Sequence, residues 1–295
     1  MKSPLDRLIA SYSLAVDRAL TRWLPKAGAR PATIHQAMRY SLFAGGKRMR
    51  PVLALAAAEA CGGSIEDALP AACAVECVHT YSLIHDDLPC MDDDDLRRGR
   101  PTSHKVFGEG VAVLAGDALL TVAFEILGRT VPTRRHPATA FFNELSRAAG
   151  SRFLIGGQIA DLEGENRPST PAELRFIHRG KTAAIIVASL KLGAMSANAG
   201  AGQLKALAAF GENLGLAFQV VDDILDVTQT SEQLGKSAGK DAASGKTTYP
   251  AVLGLERSRR EAARLTGRAL KSLFPFGAEG SVLRAIAEKL LERRA

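Results

Sequence analysis

The segment 66–88, EDALPAACAVECVHTYSLIHDDL, constrains the fold more than any other part of the chain. It is mostly apolar on all sides at helical spacing, which predicts a helix buried at the centre of the protein. Pro89 disfavours helical geometry at Leu88, so we expect the helix to end there. Such a helix has to be covered on every face, and this favours a bundle of further helices around it.

Apolar residues recur at helical spacing along almost all of the 295 residues, and we find neither an alternating strand pattern nor a repeat. Ala and Leu, both strong helix formers, dominate the composition. Because no Gly/Ser/Pro-rich linker divides the chain, we predict one all-α domain over 1–295. Further helices are predicted at about 5–24, 33–44, 51–63, 109–128, 138–165, 171–195, 202–230, 248–273 and 278–293.

The net charge of +7 is compatible with nucleic acid, an anionic membrane or an anionic small molecule as partner. Aromatic residues make up only 5% of the chain, too few to interleave with basic residues for stacking on bases. There is also no reading-helix motif for duplex DNA. We therefore expect no nucleic-acid partner.

The chain carries no sign of export or membrane insertion. The N-terminal residues lack an apolar signal region. The best membrane-span candidate, GVAVLAGDALLTVAFEILG, is interrupted by Asp117 and Glu125, so we expect no span. No two of the four cysteines have the CxxC spacing, and a reduced, cytoplasmic setting fits them.

Two acidic clusters stand out. HDDLPCMDDDDLRRG follows the central helix, and DDILD lies on a later predicted helix. The break at Pro89 allows the chain to bring Asp92 back beside Asp86. Asp222 and Asp226 are four residues apart and share a helical face.

Carboxylates about 4 Å apart repel by roughly 1 kcal/mol in water and by more near a protein surface, so a cation is expected among them. Oxygen ligands completed by substrate phosphates suit Mg²⁺. Each cluster taken alone is more simply a solvated helix end. Together, and each followed by a polar basic loop at 89–104 and 230–247, they favour a metal site. The spacing of a calcium-binding loop is absent.

Basic residues adjoin both clusters and a glycine turn. Arg binds phosphate oxygens through its fork and Lys as a point charge, and glycines allow backbone N–H groups to approach an anion. The spacing is not that of a P-loop. The residues are Lys47, Arg48 and Arg50 after Gly45–Gly46, Arg97 and Arg98 after the first cluster, and Lys236, Lys240 and Lys246 after the second. Since the helices that carry the clusters are apolar, we infer a phosphorylated hydrocarbon as substrate.

These motifs resemble those of the short-chain trans-isoprenyl diphosphate synthases, and most closely the bacterial farnesyl diphosphate synthases. DDLPCMD is similar to the first aspartate-rich motif of that family and DDILD to the second. GGKRMRP, CVHTYSLIHDD, DDLRRGRPTSH, HRGKTAA, FQVVDDILDVT and LGKSAGKDAASGKTTYP match in family order from about 34 to 253. The resemblance implies a single-domain bundle of about ten or more helices around a deep central cavity, and a homodimer.

The resemblance also implies a role for each matching residue. Asp86, Asp92 and Asp222 would bind up to three Mg²⁺ ions, with Mn²⁺ as an alternative, and Asp87, Asp223 and Asp226 would orient metal-bound waters. The allylic diphosphate would be held by Arg97, Lys181, Lys236 and Lys246. Isopentenyl diphosphate would be held by Gly46, Lys47, Arg50, His79 and Arg98. For His79 the alternative is a hydrogen-bonded core histidine.

The implied reaction is ionisation, condensation and elimination. Charge growing on the departing diphosphate would be taken up by metal and basic residues. An allylic cation would form away from water. The Thr182 hydroxyl, the Gln219 side-chain oxygen and the Lys181 carbonyl would direct negative dipoles at it. The released diphosphate would accept the proton, so no ordinary general base is needed.

Product length is predicted from Tyr81 and Ser82, which lie about one turn before Asp86. A large side chain there would close the cavity, and Tyr81 with the small Ser82 resembles the farnesyl arrangement. Phe153 and Gly180 depart from the family pattern, which has glycine at the first position and a bulkier residue at the second. These departures bear on product length more than on reaction type.

Several alternatives remain open. The same chemistry could stop at geranyl or continue to geranylgeranyl diphosphate. A non-catalytic prenyl-diphosphate-binding subunit typically loses aspartates that are intact here. A terpene cyclase would not need the second diphosphate site at Lys47, Arg50 and Arg98, and a head-to-head condensing enzyme would use different acidic motifs.

Overall fold

The computed structural model describes residues 3–165, 167, 170–228 and 248–291. Over these residues the chain is helical almost throughout, which confirms the predicted all-α class. In chain order the helices are α1 (Pro4–Trp23), α2 (Ala32–Leu42), α3 (Met49–Ala60), α4 (Ile65–Asp86), α5 (Ser103–Phe107), α6 (Glu109–Leu127), α7 (Ala138–Ala149), α8 (Leu154–Gly164), α9 (Pro171–His178), α10 (Ala184–Ser196), α11 (Ala201–Thr228), α12 (Tyr249–Leu253), α13 (Leu255–Ser272) and α14 (Ser281–Leu291). A π-helical turn (Arg179–Ala183) joins α9 to α10, and a 3₁₀ segment (Phe274–Gly280) precedes α14.

Helix α4 is the central helix that the sequence predicts. Ser64 caps its N-terminus by accepting a hydrogen bond from the Asp67 N–H, and most of its residues are buried. It packs against α1, α2, α3, α6 and α10. Its last helical residue is Asp86, so the aspartates begin where the buried helix ends.

Helices α3, α10 and α11 form the other side of the core. Gly193 of α10 meets the Ala54 backbone of α3 so closely that a Cβ at this position would overlap the Ala54 carbonyl. Helix α11 packs along α10 and the π-helical turn. The acidic end of α11 is therefore held on the same side of the bundle as the π-helical turn.

Three long predicted helices are interrupted in the structure. The prediction of one helix over 138–165 is wrong, because the chain leaves helical geometry between Gly150 and Phe153 (φ −133°, ψ −98°) and restarts at α8. The helix predicted at 171–195 contains the π-helical turn, and such turns often occur at functional sites. The helix predicted at 248–273 breaks at Gly254, whose φ of +77° favours glycine.

The predicted loop 89–104 contains a short hairpin of β1 (Leu96–Arg97) and β2 (Arg100–Pro101). Its two turn residues, Arg98 and Gly99, have φ values of 56° and 74°, as two-residue hairpin turns with the right twist require. The hairpin directs neighbouring arginines to different partners: Arg97 to Asp87, and Arg98 to the Gly45 carbonyl.

Helix α6 is long and apolar enough to cross a membrane, judged by length and composition alone. Of its most apolar window, 44% is buried inside the structure, against α4 among other helices, and core helices of bundles meet the same criterion. The expected absence of a membrane span therefore stays a prediction.

Candidate active site

One cavity of about 240 Å³ brings together ten of the residues singled out in the sequence. It lies between the C-terminal half of α4, the π-helical turn and the C-terminal half of α11, with Leu154 of α8 on one side. It is lined by Arg50, His79, Ser82, Leu83, Asp86, Asp92, Arg97, Leu154, Lys181, Thr182, Ile185, Gln219 and Asp222. Both aspartate-rich segments therefore open on a single cavity.

The return of the chain after α4 places the first cluster. The Asp92 N–H donates a hydrogen bond to the Asp86 carbonyl (2.8 Å), and the Asp94 N–H donates to the Asp87 carbonyl (3.2 Å). Asp93 takes a left-handed conformation with φ 48° to allow this turn. Asp86 and Asp92 consequently line the same wall of the cavity, as the break at Pro89 predicts.

The electrostatics of this wall favour a cation. Burial raises the pKa of Asp86 to about 6, and the neighbouring Asp92 and Asp87 carboxylates add to the rise, although Lys181 and Arg97 oppose it. With Asp222 the cavity offers oxygen ligands from two helices, a donor set that fits Mg²⁺ or Mn²⁺. The residues present therefore fit the divalent ion that the sequence implies.

Asp87 is buried behind this wall and paired with Arg97, whose Nε donates to Asp87 Oδ1 (2.9 Å). Burial raises the pKa of Asp87, and the Arg97 hydrogen bond opposes the rise. Arg97 also reaches Asp94 at 3.3 Å and lines the cavity. That Arg97 binds the allylic diphosphate stays a prediction. The structure shows that Asp87 holds the Arg97 guanidinium in place.

The second cluster divides between the cavity and its supports. Asp222 lines the cavity, while Asp223 and Asp226 are each only 3% exposed. Asp223 accepts hydrogen bonds from the Gln219 side-chain amide (3.0 Å) and from the Tyr249 N–H (2.9 Å). Asp223 thus links α11 to the start of α12, and its predicted action through metal-bound water remains untested.

Gln219 is oriented by this contact. Since its amide nitrogen donates to Asp223, its oxygen faces Thr182, whose hydroxyl donates to it at 3.2 Å. Both side chains line the cavity beside Lys181. The three residues predicted to stabilise the allylic cation are therefore brought together, with the Gln219 amide orientation fixed by a buried acid.

Lys181 lies on the π-helical turn, and its Nζ donates to Asp161 of α8 (2.7 Å). The turn approaches α8 closely, because a Cβ on Gly157 would overlap the Lys181 backbone N. A Cβ on Gly180 would lie 2.8 Å from the Phe153 carbonyl oxygen. Glycine at both positions therefore permits the backbone contact that places Lys181.

His178 precedes this turn and lies behind the site. Its ring stacks on Tyr249 with centroids 5.5 Å apart, and its Nε2 is 3.8 Å from Asp223 Oδ2. Burial lowers the pKa of His178 to about 4, so the ring is neutral near pH 7 and forms no ion pair with Asp223.

The basic residues predicted for isopentenyl diphosphate gather near the α3 N-terminus. The Arg50 Nη1 donates a hydrogen bond to His79 Nε2 (3.1 Å), and both residues line the cavity. Burial and then the neighbouring arginines, Arg50 first, lower the pKa of His79 well below its ordinary value, so its ring is a neutral acceptor. Gly46 and Arg98 are also adjacent, since a Cβ on Gly46 would overlap the Arg98 guanidinium.

Arg48 does not belong with the phosphate-binding bases, which corrects its grouping in the sequence. It is 5% exposed, and its guanidinium donates to Asp17 (2.9 Å), Glu76 (2.8 Å) and the Leu42 carbonyl (2.6 Å). Lys47 beside it is exposed, and it does not line the cavity.

The two residues assigned to product length lie differently. Ser82 lines the cavity, and its hydroxyl donates to the His79 carbonyl at 2.9 Å. Tyr81 is 5% exposed and packs edge-on against His85 with centroids 5.7 Å apart, so it lies beside the cavity wall rather than on it. Phe153 is also absent from the cavity lining, since its ring lies under the Arg147 guanidinium at 5.1 Å from the ring centroid.

A further group of possible metal ligands lies just after Asp92. Asp93, Asp95 and His104 place one ligand atom each within 4.8 Å of the others. Two of the three are exposed, and Asp95 is paired with Lys105 at 2.8 Å. Exposed acidic groups of this kind are common without an ion, so the metal prediction rests on the cavity aspartates. Lys236, Lys240 and Lys246, which the sequence also singles out, lie outside the described residues.

Sequence reasoning missed three charged residues of the site: Asp17, Glu76 and Asp161. Asp17 lies on the amphipathic α1, where an acid is unremarkable. Glu76 carries a signal, because it is an isolated acid within a largely apolar helical stretch, whereas Asp161 is one of three acids in 161–165 and carries none. A buried acid such as Glu76 requires a cationic partner, which is Arg48, and the partly buried Asp161 pairs with Lys181.

The fold and the cavity together define a class of protein, the all-helical isoprenoid synthases. The sequence profile of the polyprenyl synthetase family matches residues 31–274, most of the chain. The chain therefore belongs to the polyprenyl synthetase family, and it is a trans-prenyltransferase.

Relatives and solved structures agree with this assignment. The chain is 51% identical over 266 residues to a chloroplastic geranylgeranyl pyrophosphate synthase of Capsicum annuum, covering 89% of this chain and 72% of that protein. Its structure is similar to that of an FPP/GFPP synthase of Zymomonas mobilis, with TM-score 0.87 and 36% sequence identity. The match covers 97% of this chain and 98% of that one. It is also similar to a Helicobacter pylori geranyltransferase solved in complex with magnesium and isoprenyl diphosphate, with TM-score 0.85 and 36% sequence identity. That match covers 99% of this chain and 98% of the other.

Proposed function

We propose that the protein condenses isopentenyl diphosphate head-to-tail with dimethylallyl and then geranyl diphosphate to give (2E,6E)-farnesyl diphosphate. The observation that carries this proposal is the single cavity lined by Asp86, Asp92 and Asp222 together with Arg50 and Lys181. Condensation of two diphosphates requires an acid-rich site for one and a basic site for the other, and both adjoin this cavity.

The aspartates Asp86, Asp92 and Asp222 would hold Mg²⁺, with Mn²⁺ as the alternative. The bound ions would neutralise charge that develops on the leaving diphosphate. Lys181 and Arg97 face the same cavity and would bind the diphosphate oxygens directly, with Lys236 and Lys246 assigned there by sequence alone. Asp87, Asp223 and Asp226, which are buried next to the cavity aspartates, would orient metal-bound waters.

The protein's own residues would also favour formation of the allylic cation. The Gln219 oxygen and Thr182 hydroxyl border the cavity next to Lys181, where their negative ends can face a positive carbon. The neighbouring Leu83, Leu154 and Ile185 exclude water that would otherwise quench it. On the other side, Arg50, His79, Arg98, Lys47 and the Gly46 backbone would bind isopentenyl diphosphate.

Product length is the finer part of this proposal. Ser82 lines the cavity one turn before Asp86 and Tyr81 is buried beside its wall, and the resemblance of this pair to the farnesyl arrangement supports a farnesyl product. The Capsicum annuum relative is named for geranylgeranyl diphosphate, which keeps the longer product as the principal alternative. Geranyl diphosphate is a shorter one. A non-catalytic regulatory subunit is disfavoured, because both aspartate motifs are intact.

We also propose a homodimer in a reducing compartment, built from a single domain over 1–295. Val106, Val113 and Leu114 near the start of α6 are 39–56% exposed, and a second copy would cover them. Light scattering should give a dimer that Leu114→Glu weakens. Val131→Glu, which alters an equally apolar exposed residue outside α6, should leave the dimer unchanged. The four cysteines are free, as a reducing compartment requires.

The deciding experiment incubates the full chain and Mg²⁺ with labelled isopentenyl diphosphate and, in turn, dimethylallyl, geranyl and farnesyl diphosphate. We expect farnesyl product from the first two starters and little elongation of the third. A C20 product from all three starters would show that the product is geranylgeranyl diphosphate rather than farnesyl diphosphate. Absence of incorporation from every starter would refute the enzymatic proposal.

A further inference from the structure

The turn that carries the residues assigned to isopentenyl diphosphate is held by a buried ion network. Arg48 lies between Lys47 and Arg50 and takes a left-handed conformation with φ 48°. Its guanidinium bonds to Asp17 of α1, Glu76 of α4 and the Leu42 carbonyl at the end of α2. One side chain therefore fixes the turn to three separate helices.

Glu76 lies one helical turn before His79 on α4 and is only 2% exposed. Its Oε1 accepts the Arg48 bond, whereas its Oε2 is buried without a hydrogen-bond partner among the described residues. A carboxylate buried in this way is costly unless positive charge surrounds it. The positive charge is supplied by the arginines on the side of the cavity.

The charge of Glu76 extends beyond Arg48. Arg50 is packed against His79, and its buried Nε has no hydrogen-bond partner within the part of the chain that the structure describes. Burial lowers the pKa of Arg50 to about 10, while Glu76 opposes the fall. Burial lowers the pKa of Arg98, as do Arg48 and Arg97, and Glu76 opposes the fall. Glu76 thus offsets mutual repulsion among arginines that would otherwise separate before an anion binds.

We propose that Glu76, Arg48 and Asp17 are positioning residues for the isopentenyl diphosphate site. They hold the 45–50 turn so that Arg50 and Lys47 are preorganised for one diphosphate, and they do not touch substrate themselves. This inference rests on the proposed function, since it presumes that these bases bind isopentenyl diphosphate. According to this inference the network supports the binding of isopentenyl diphosphate only. It does not influence the allylic site on the far side of the cavity.

The test is the steady-state kinetics of E76Q, which removes the charge at nearly constant shape. Loss of a buried charged hydrogen bond should raise the KM for isopentenyl diphosphate by about 10-fold or more. The KM for geranyl diphosphate and the kcat should remain within about threefold, because the network does not touch the allylic site. D17N, at the half-exposed end of the network, should give a smaller change in the same direction. It also provides a soluble variant in the event that E76Q folds poorly.

E144Q is the matched control. Glu144 is a comparably buried acid, paired with Lys191 and Arg147, and it does not line the cavity. Loss of the Glu144 charge should lower thermal stability without raising the KM for isopentenyl diphosphate relative to the KM for geranyl diphosphate. If E76Q and D17N behave like E144Q, the network is only structural and the inference is wrong. A fall in the KM for isopentenyl diphosphate would also overturn it, because Glu76 would then act only by repelling the diphosphate. Wild-type protein that incorporates no isopentenyl diphosphate would overturn both this inference and the proposed function.

Discussion

Gly157→Ala should impair catalysis although Gly157 itself touches no substrate. The new methyl group would overlap the Lys181 backbone N, and it would lie 2.8 Å from the Gly180 carbonyl carbon and 3.0 Å from Lys181 Cα. All three atoms are backbone, so no side chain can swing away to make room. The π-helical turn, which carries Lys181 and Thr182, would have to move away from α8.

The expected cost can be divided between stability and rate. Overpacking a core position costs about 1–3 kcal/mol, and replacing Gly by Ala within a helix returns about 1 kcal/mol. The net loss of about 0–2 kcal/mol would leave nearly all molecules folded. A displacement of catalytic groups by about 1 Å can cost on the order of 100-fold in rate, so we expect kcat to fall about 10- to 100-fold.

The assay compares kcat and thermal denaturation of Gly157→Ala with those of Gly267→Ala. Gly267 lies within α13, and a Cβ there would meet nothing within 4 Å, so the control should keep wild-type kcat and gain a little stability. Wild-type kcat in Gly157→Ala would refute the argument that glycine is needed here to position Lys181. A loss of kcat proportional to unfolded protein would refute it as well.

Three further predictions concern other parts of the site. Asp222→Ala should reduce turnover severely while circular dichroism shows an unchanged fold, and near-normal turnover would contradict its assignment as a metal ligand. Ser82→Phe should shift the product towards geranyl and Tyr81→Ala towards longer chains, read by chromatography of labelled products; unchanged length in both would remove these residues from chain-length control. Burial lowers the pKa of His178 from its ordinary 6.5 to about 4, so the unfolded chain binds a proton at this residue more readily than the folded chain. The free energy of unfolding should therefore be highest above pH 6.5 and should fall by about 3 kcal/mol as the pH is lowered towards 4. Urea denaturation in EDTA should show this loss in the wild type and a smaller one in His178→Gln; equal losses would assign it to other groups.

The sequence predicts well those features that depend on local signals. Helix α4 is recognisable from its apolar periodicity, and its end from Pro89 and the aspartates. The return of Asp92 beside Asp86 follows from the same break. These features need no knowledge of distant residues, which is why sequence alone suffices for them.

Features that depend on distant partners are not predictable in this way. Arg48 resembles Lys47 and Arg50 in sequence, and only its contacts with Asp17 and Glu76, 31 and 28 residues away, separate it from them. The break before α8 likewise lies where the π-helical turn approaches that helix. In both cases tertiary contacts decide between conformations that the local sequence leaves equally open.

Two of the departures from the family pattern, Phe153 and Gly180, meet in the structure. The Phe153 carbonyl oxygen would lie 2.8 Å from a Cβ at position 180, so the backbone conformation at Phe153 is compatible with glycine there and crowds any larger residue. The Phe153 ring points instead to Arg147, away from the cavity lined by the aspartates. The pair therefore maintains the position of Lys181 without narrowing that cavity. For this reason the control of product length is better sought at Ser82 and Tyr81 on α4 than at the departures themselves.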